Sequence, residues 1–80
     1  MSEEPARKRL GADERREEII RVTLELAARQ GVDDVTTQDM ANAMGLTQGA
    51  VFRHFPSKDA IWLATMQWVR DRLMSVLGRA

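Results

Sequence analysis

The chain has 80 residues, with 12 Lys and Arg balanced by 12 Asp and Glu, one His and no Cys. That length suits one small domain, and the lack of cysteine excludes a disulfide or thiolate-metal staple to support it. One histidine and scattered carboxylates exclude a metal cluster and a nucleophile–base pair. No cofactor and no enzymatic activity are therefore expected. No apolar run is long enough for a membrane span, and the polar opening SEEPARKR is not a secretory signal, so a cytoplasmic location without membrane contact is expected.

Residues 1–12 are polar, hold Pro5 and Gly11, and show no apolar period; they read as a flexible arm. Asp13 is the expected N-cap of the first helix, with Glu14, Glu17 and Glu18 near the positive end of its dipole. Ile19, Ile20, Thr23, Leu24, Leu26 and Ala27 recur at helical spacing and form its inward face. The helix should stop at Gly31. Val32 and Val35 are expected to fold back onto the core from a short loop.

Thr36 with Asp39 three residues later is a capping box, so a second helix should run over about 37–44. It should bury Met40, Ala41 and Met44, and the small Ala41 allows a close helix crossing. Gly45 stands where a left-handed cap is wanted, Leu46 plugs the junction, and Thr47 caps a third helix over about 48–55. Val51 and Phe55 face inward, and Pro56 ends that helix. Ser57 caps a fourth helix from Lys58 to about Leu77. On it Trp62, Met66, Val69, Leu73 and Val76 make one stripe, with Ile61, Leu63, Trp68 and Leu77 off it. Trp62 and Trp68 read as packing residues, one against the core and one toward a missing partner surface. Two capped short helices joined by a tight glycine turn are the pattern of a helix-turn-helix.

Zero net charge by itself counts against a nucleic-acid partner, because phosphate contacts dominate affinity. The distribution points the other way. Residues 45–58 hold Arg53, His54 and Lys58 and no acid, while the acids gather on the first helix and at Asp33 and Asp34.

The stretches IIRVTLELAARQGVDDVTT and QDMANAMGLTQGAVFRHFPSKDAIW resemble the N-terminal DNA-binding domain of the TetR (tetracycline-repressor-like) family of bacterial regulators. The matching positions are Gly31, Thr36 and Thr37, Met40 and Ala41, Gly45-Leu46-Thr47, Gly49, Val51-Phe52, His54-Phe55 and Lys58. The resemblance implies an all-α fold: a three-helix bundle with a homeodomain-like helix-turn-helix, plus a long fourth connecting helix. Residues 13–57 would be the DNA-binding domain, and 58–80 would lead toward an absent C-terminal ligand-binding and dimerisation domain. The implied function is a repressor, homodimeric at full length, that binds palindromic double-stranded DNA and is released by a small-molecule effector. Three positions depart from the family pattern. Phe52 replaces a usual Tyr, Ala50 a frequent Thr and Ala27 a frequent Phe, so weaker phosphate anchoring and lighter packing are expected.

The candidate DNA contacts follow. The Gln48 amide suits adenine N6 and N7 in the major groove, against a plain solvated helix start. Arg53 suits guanine or phosphate, against a solubilising role. Thr37 and Gln38 open the second helix, whose amides can face a phosphate; capping is the plainer role. Thr47 can both cap and bind phosphate. Gly49 lets backbone approach DNA closely, against a glycine of no consequence. His54 and Lys58 resemble the family's phosphate-contacting positions, against core-edge packing and plain solvation. Arg7, Lys8 and Arg9 suit a minor-groove arm, although such runs are usually just solvated. The alternative reading is a small helical protein-interaction module without DNA binding, which the apolar fourth helix favours.

Overall fold

The computed structural model describes residues 11–78. The arm expected over residues 1–12, with Arg7, Lys8 and Arg9, lies almost wholly outside the described residues. Four helices follow in order: α1 (Ala12–Gln30), α2 (Thr37–Met44), α3 (Gln48–Phe52) and α4 (Lys58–Gly78), with a 3-10 turn at Val32–Asp34 between the first two. There is no strand among the described residues, as the all-α expectation requires.

Local signals set most boundaries. The N-cap of α1 is Gly11, not Asp13: the Gly11 N–H donates to Glu14 Oε1 at 2.8 Å. A carboxylate three residues into the helix takes the free donor, so Asp13 is left inside the first turn. At the other end the Gly31 N–H bonds the Ala27 carbonyl, and Gly31 has φ 93°. The Thr36–Asp39 capping box forms in both directions, at 3.0 and 3.1 Å. Thr47 Oγ1 accepts from the Ala50 N–H at 3.1 Å, and Ser57 Oγ accepts from the Ala60 N–H at 3.1 Å. The third helix is shorter than expected. It ends at Phe52, and Arg53 and His54 continue as a turn whose amides bond back to carbonyls of Gly49, Ala50 and Val51.

The core is one cluster: Ile19, Ile20 and Leu26 of α1, Val35 of the loop that follows the 3-10 turn, Met40 and Ala41 of α2, Val51, Phe55 and Ile61. Helix α1 packs against both α2 and α4, and α2 packs against α3. Thr23 and Thr65 are buried but satisfied, each hydroxyl donating to the carbonyl four residues back at 2.7 Å. Leu24, Ala27 and Met44, expected to be buried, are half-buried at the edge of the cluster. Val32 does not fold back; it is 56% exposed, because the 3-10 turn carries it outward.

The fourth helix turns a different face inward from the stripe read in the sequence. Ile61 and Thr65 are buried, while Met66, Leu73 and Val76 are each more than half exposed. Trp68 also differs from expectation. Its indole N–H donates to Glu17 Oε2 at 3.1 Å, and the Arg72 guanidinium stacks 3.9 Å from its ring centroid. Arg72 Nη2 also reaches Glu17 Oε2 at 2.7 Å. So Trp68 is tied back to α1 rather than presented to a missing partner. The Trp68 hydrogen bond, with Arg21 and Arg72 nearby, holds the Glu17 carboxyl below its ordinary range.

The backbone and hydroxyl of Thr36, then Gln30, hold the Asp39 carboxyl low as well. A depressed folded-state pKa contributes stability above the unfolded value and loses it as pH falls through the folded one. Resistance to urea should therefore fall as pH drops through and below about 4. Glu17→Gln should flatten part of that fall, read as the unfolding midpoint by tryptophan fluorescence against pH. An unchanged profile would show that Glu17 is not held in the folded state as described.

Candidate nucleic-acid interface

The turn between α2 and α3 fixes how the two short helices meet. Gly45 adopts φ 70°, ψ 29°, a left-handed conformation that side chains with a Cβ disfavour. The Leu46 N–H bonds the Ala41 carbonyl at 2.8 Å and closes the end of α2. Ala41 and Met40 are fully buried beneath this junction, and Val51 anchors α3 from the other side. The N-termini of α2 and α3 are thereby brought together. Gln48 Nε2 donates to Thr37 Oγ1 at 3.0 Å, across eleven residues of sequence.

The sequence-selected residues divide into three groups. Thr37, Gln48 and Thr47 gather where the two helices start, with Thr37 and Gln48 half-buried and Thr47 exposed. Gln38 is exposed one residue further on and donates to Asn42 Oδ1 at 2.8 Å. Gly49 and Arg53 are exposed on α3 and the turn after it. Arg53 makes no ion pair and its side chain no hydrogen bond among the described residues. Lys58 begins α4, half-buried and without an ion pair among the described residues, and its charge is felt at Asp39. His54 is half-buried at the end of the α3 turn, beside the buried Phe55.

Two details change the reading of single positions. Gly49 is helical, and a Cβ there would meet nothing nearer than Thr47 Oγ1 at 3.8 Å. The fold therefore does not demand glycine at that position. Gln48 is not a free side chain, since its amide is held by Thr37. Phe52 is 40% exposed on α3.

Arg16 was not among the sequence candidates. Its Nη1 donates to the His54 carbonyl at 3.0 Å, and its guanidinium lies 4.4 Å from the Phe55 ring centroid. A cation thus closes the C-terminal end of the α3 turn, where free carbonyls carry partial negative charge. A signal for it exists in the sequence. Arg16 precedes Ile19, Ile20 and Thr23 at helical spacing, so it extends the inward stripe of α1. The partner 38 residues away is not visible there.

Among the described residues no group of three or more His, Cys, Asp or Glu is placed to hold a metal ion, and no helix is long and apolar enough to cross a membrane. What the surface offers is a cluster of amide and hydroxyl groups flanked by Arg53, His54 and Lys58. No acid lies between residues 45 and 58 to oppose an anion.

Residues 19–65 match the family model described as "Bacterial regulatory proteins, tetR family". Among curated proteins, the chain is similar to nucleoid occlusion factor SlmA of Vibrio cholerae serotype O1, 35% identical over 66 residues, covering 81% of this chain and 34% of that protein. The same-named protein of Haemophilus ducreyi is 34% identical over 66 residues, with 81% and 33% covered. That of Escherichia coli O1:K1 / APEC is 32% identical over 71 residues, with 88% and 36% covered. The chain spans about a third of the length of these relatives. No solved structure matches at a comparable level of significance.

Arg16→Ala should loosen the α3 turn without unfolding the bundle. Amide hydrogen exchange at His54 and Phe55 should speed up while that at Met40 and Ala41 stays slow. Equal acceleration at all four amides would show that Arg16 supports the whole core rather than this turn.

Proposed function

The chain belongs to the tetR family of bacterial regulatory proteins, and on that premise we propose that it is a sequence-specific DNA-binding transcriptional regulator, a repressor. The observation that supports this most is that the stretch 45–58 carries no acid and leaves Arg53 unpaired and exposed at the end of α3, while Gln48 and Thr37 join the starts of α2 and α3. An unopposed cation next to hydrogen-bonding side chains suits a duplex, where phosphates position the protein and base edges specify the site. In this reading residues 13–57 form the reading head. Helix α3 enters the major groove, where Gln48 and Arg53 face bases. Gln38, Thr47, His54 and Lys58 hold phosphates, Thr37 lies beside Gln48 at the start of α2, and the Gly49 backbone lies against the duplex. The segment 58–80 links the head to a C-terminal domain that dimerises and binds a small-molecule effector. Two heads then occupy half-sites of a palindromic operator about 34–36 Å apart. The protein works in the cytoplasm, at the nucleoid.

A second reading comes from the relatives' name, nucleoid occlusion factor. A regulator of transcription should occupy few chromosomal sites, concentrated at promoters. A factor acting on the nucleoid as a whole should occupy many sites spread over it. Genome-wide mapping of the bound protein separates the two. A protein-interaction module, the remaining alternative, should show no affinity for DNA that falls with salt.

Lys58→Ala should weaken binding to cognate and random duplexes alike and reduce the slope of log K against log salt by about 1. Arg53→Ala should instead cost about 1–3 kcal/mol on the cognate site and relax preference at one or two base pairs. Fluorescence titrations across a salt series measure both, and equal losses on cognate and random DNA would move Arg53 from base to phosphate.

Gly49→Ala gives a sharper contrast between folding and binding. The added methyl has room, so the protein should be more stable to urea by about 0.5–1 kcal/mol. The same methyl should weaken DNA binding. A variant that is more stable and binds undiminished would place the Gly49 backbone away from the duplex.

A further inference from the structure

We infer that Thr37 acts on sequence choice through Gln48 rather than by touching DNA itself: it is a positioning residue that fixes the reading amide. The inference rests on the DNA-reading function proposed above. Its basis is the 3.0 Å hydrogen bond from Gln48 Nε2 to Thr37 Oγ1. Both side chains are half-buried, so each has already given up part of its contact with water. Thr47 caps α3 and Gly45 sets the turn, which leaves the start of α3 little freedom relative to α2.

A glutamine on a helix surface samples many rotamers, and ordering it costs entropy. The Thr37 hydroxyl removes much of that freedom before DNA arrives, because the amide is already pinned at one nitrogen. The β-branched carbon of Thr37 in turn restricts its own χ1, so the hydroxyl is a firm anchor. The carbonyl oxygen and the second N–H of Gln48 stay available for a base edge. An adenine needs one donor and one acceptor from the same amide, so orientation decides whether the pair can form. The two other glutamines that make hydrogen bonds at this end of the bundle are engaged elsewhere. Gln38 is engaged with Asn42, and Gln30 with the Asp34 carbonyl and Asp39.

The test uses duplexes that the wild-type chain enriches from a randomised pool, with Thr37→Val, Thr37→Ser, Gln48→Ala and the double variant Thr37→Val/Gln48→Ala. Valine keeps the shape and the β-branch but removes the hydroxyl. Thr37→Val should lose roughly two- to tenfold in discrimination at the same base pair that Gln48→Ala relaxes, the effect of one hydrogen bond. Thr37→Ser should retain the preference. The losses should not add: the double variant should read that base pair no worse than Gln48→Ala alone. In the protein without DNA, NMR should show the Gln48 side-chain amide protons protected in wild type and Thr37→Ser, and averaged in Thr37→Val. Equal loss on cognate and random duplexes, adding to that of Gln48→Ala, would make Thr37 a phosphate contact and overturn the inference. So would an unchanged Gln48 amide in Thr37→Val. A wild-type chain that enriches a sequence while the variants behave in these latter ways overturns the inference alone. A wild-type chain that enriches nothing overturns the proposed function together with it.

Discussion

The structure depends on one buried face, that of α1. Ile19 is fully enclosed, Ile20 and Leu26 nearly so, and Thr23 sits between them with its hydroxyl returned to the backbone. Helices α2 and α4 both pack on α1, so it fixes their mutual placement. Each fully buried Ile or Leu side chain is worth about 1.5–3 kcal/mol, and a domain this small has few of them. Three of the longest links, Arg16 to His54, Glu17 to Trp68 and Glu17 to Arg72, also start from α1.

The junction of α2 and α3 obeys a second constraint, that of closeness. Ala41 is fully buried and its carbonyl receives the Leu46 N–H, so the chain must reverse within a few residues. Gly45 makes this possible by taking a positive φ. The result is local in sequence but positions groups that are not. Thr37 and Gln48 meet because α2 ends where it does and α3 is capped by Thr47. A five-residue helix has little stability of its own. It persists because Val51 and Phe55 are buried, Thr47 takes up an amide at its start, and Arg16 takes up a carbonyl beyond its end.

Charge on this neutral chain is organised by pairing. Around Glu17 the cations are spent: Arg72 and Arg21 lie at its carboxylate, and Arg15 lies at Glu18. These exposed or half-exposed pairs contribute little to stability singly. Their effect on the surface is larger. They neutralise the α1 side, while Arg53 and Lys58 stay unpaired among the described residues. A net charge of zero therefore hides an uneven field, and the composition understates what the α3 side offers an anion.

The sequence alone determined the helix count, the caps at Thr36, Thr47 and Ser57, the left-handed Gly45, and most of the core, because these depend on residues three or four apart. It also determined that the candidate residues cluster between Thr37 and Lys58, since they lie close along the chain. Only the tertiary structure decided which face of α4 turns inward, because that helix is apolar on several sides and the stripe its spacing suggests is not the face that packs. Ile61 and Thr65 are the α4 residues that become buried, in a helix that packs against α1. The roles of Arg16, Trp68 and Arg72 were likewise invisible, each depending on a partner 38 to 55 residues away. The pairing of Gln48 with Thr37 belongs to the same class. Periodicity reports which residues share a helix face, but which face meets which neighbour is settled by the packing of all the helices at once.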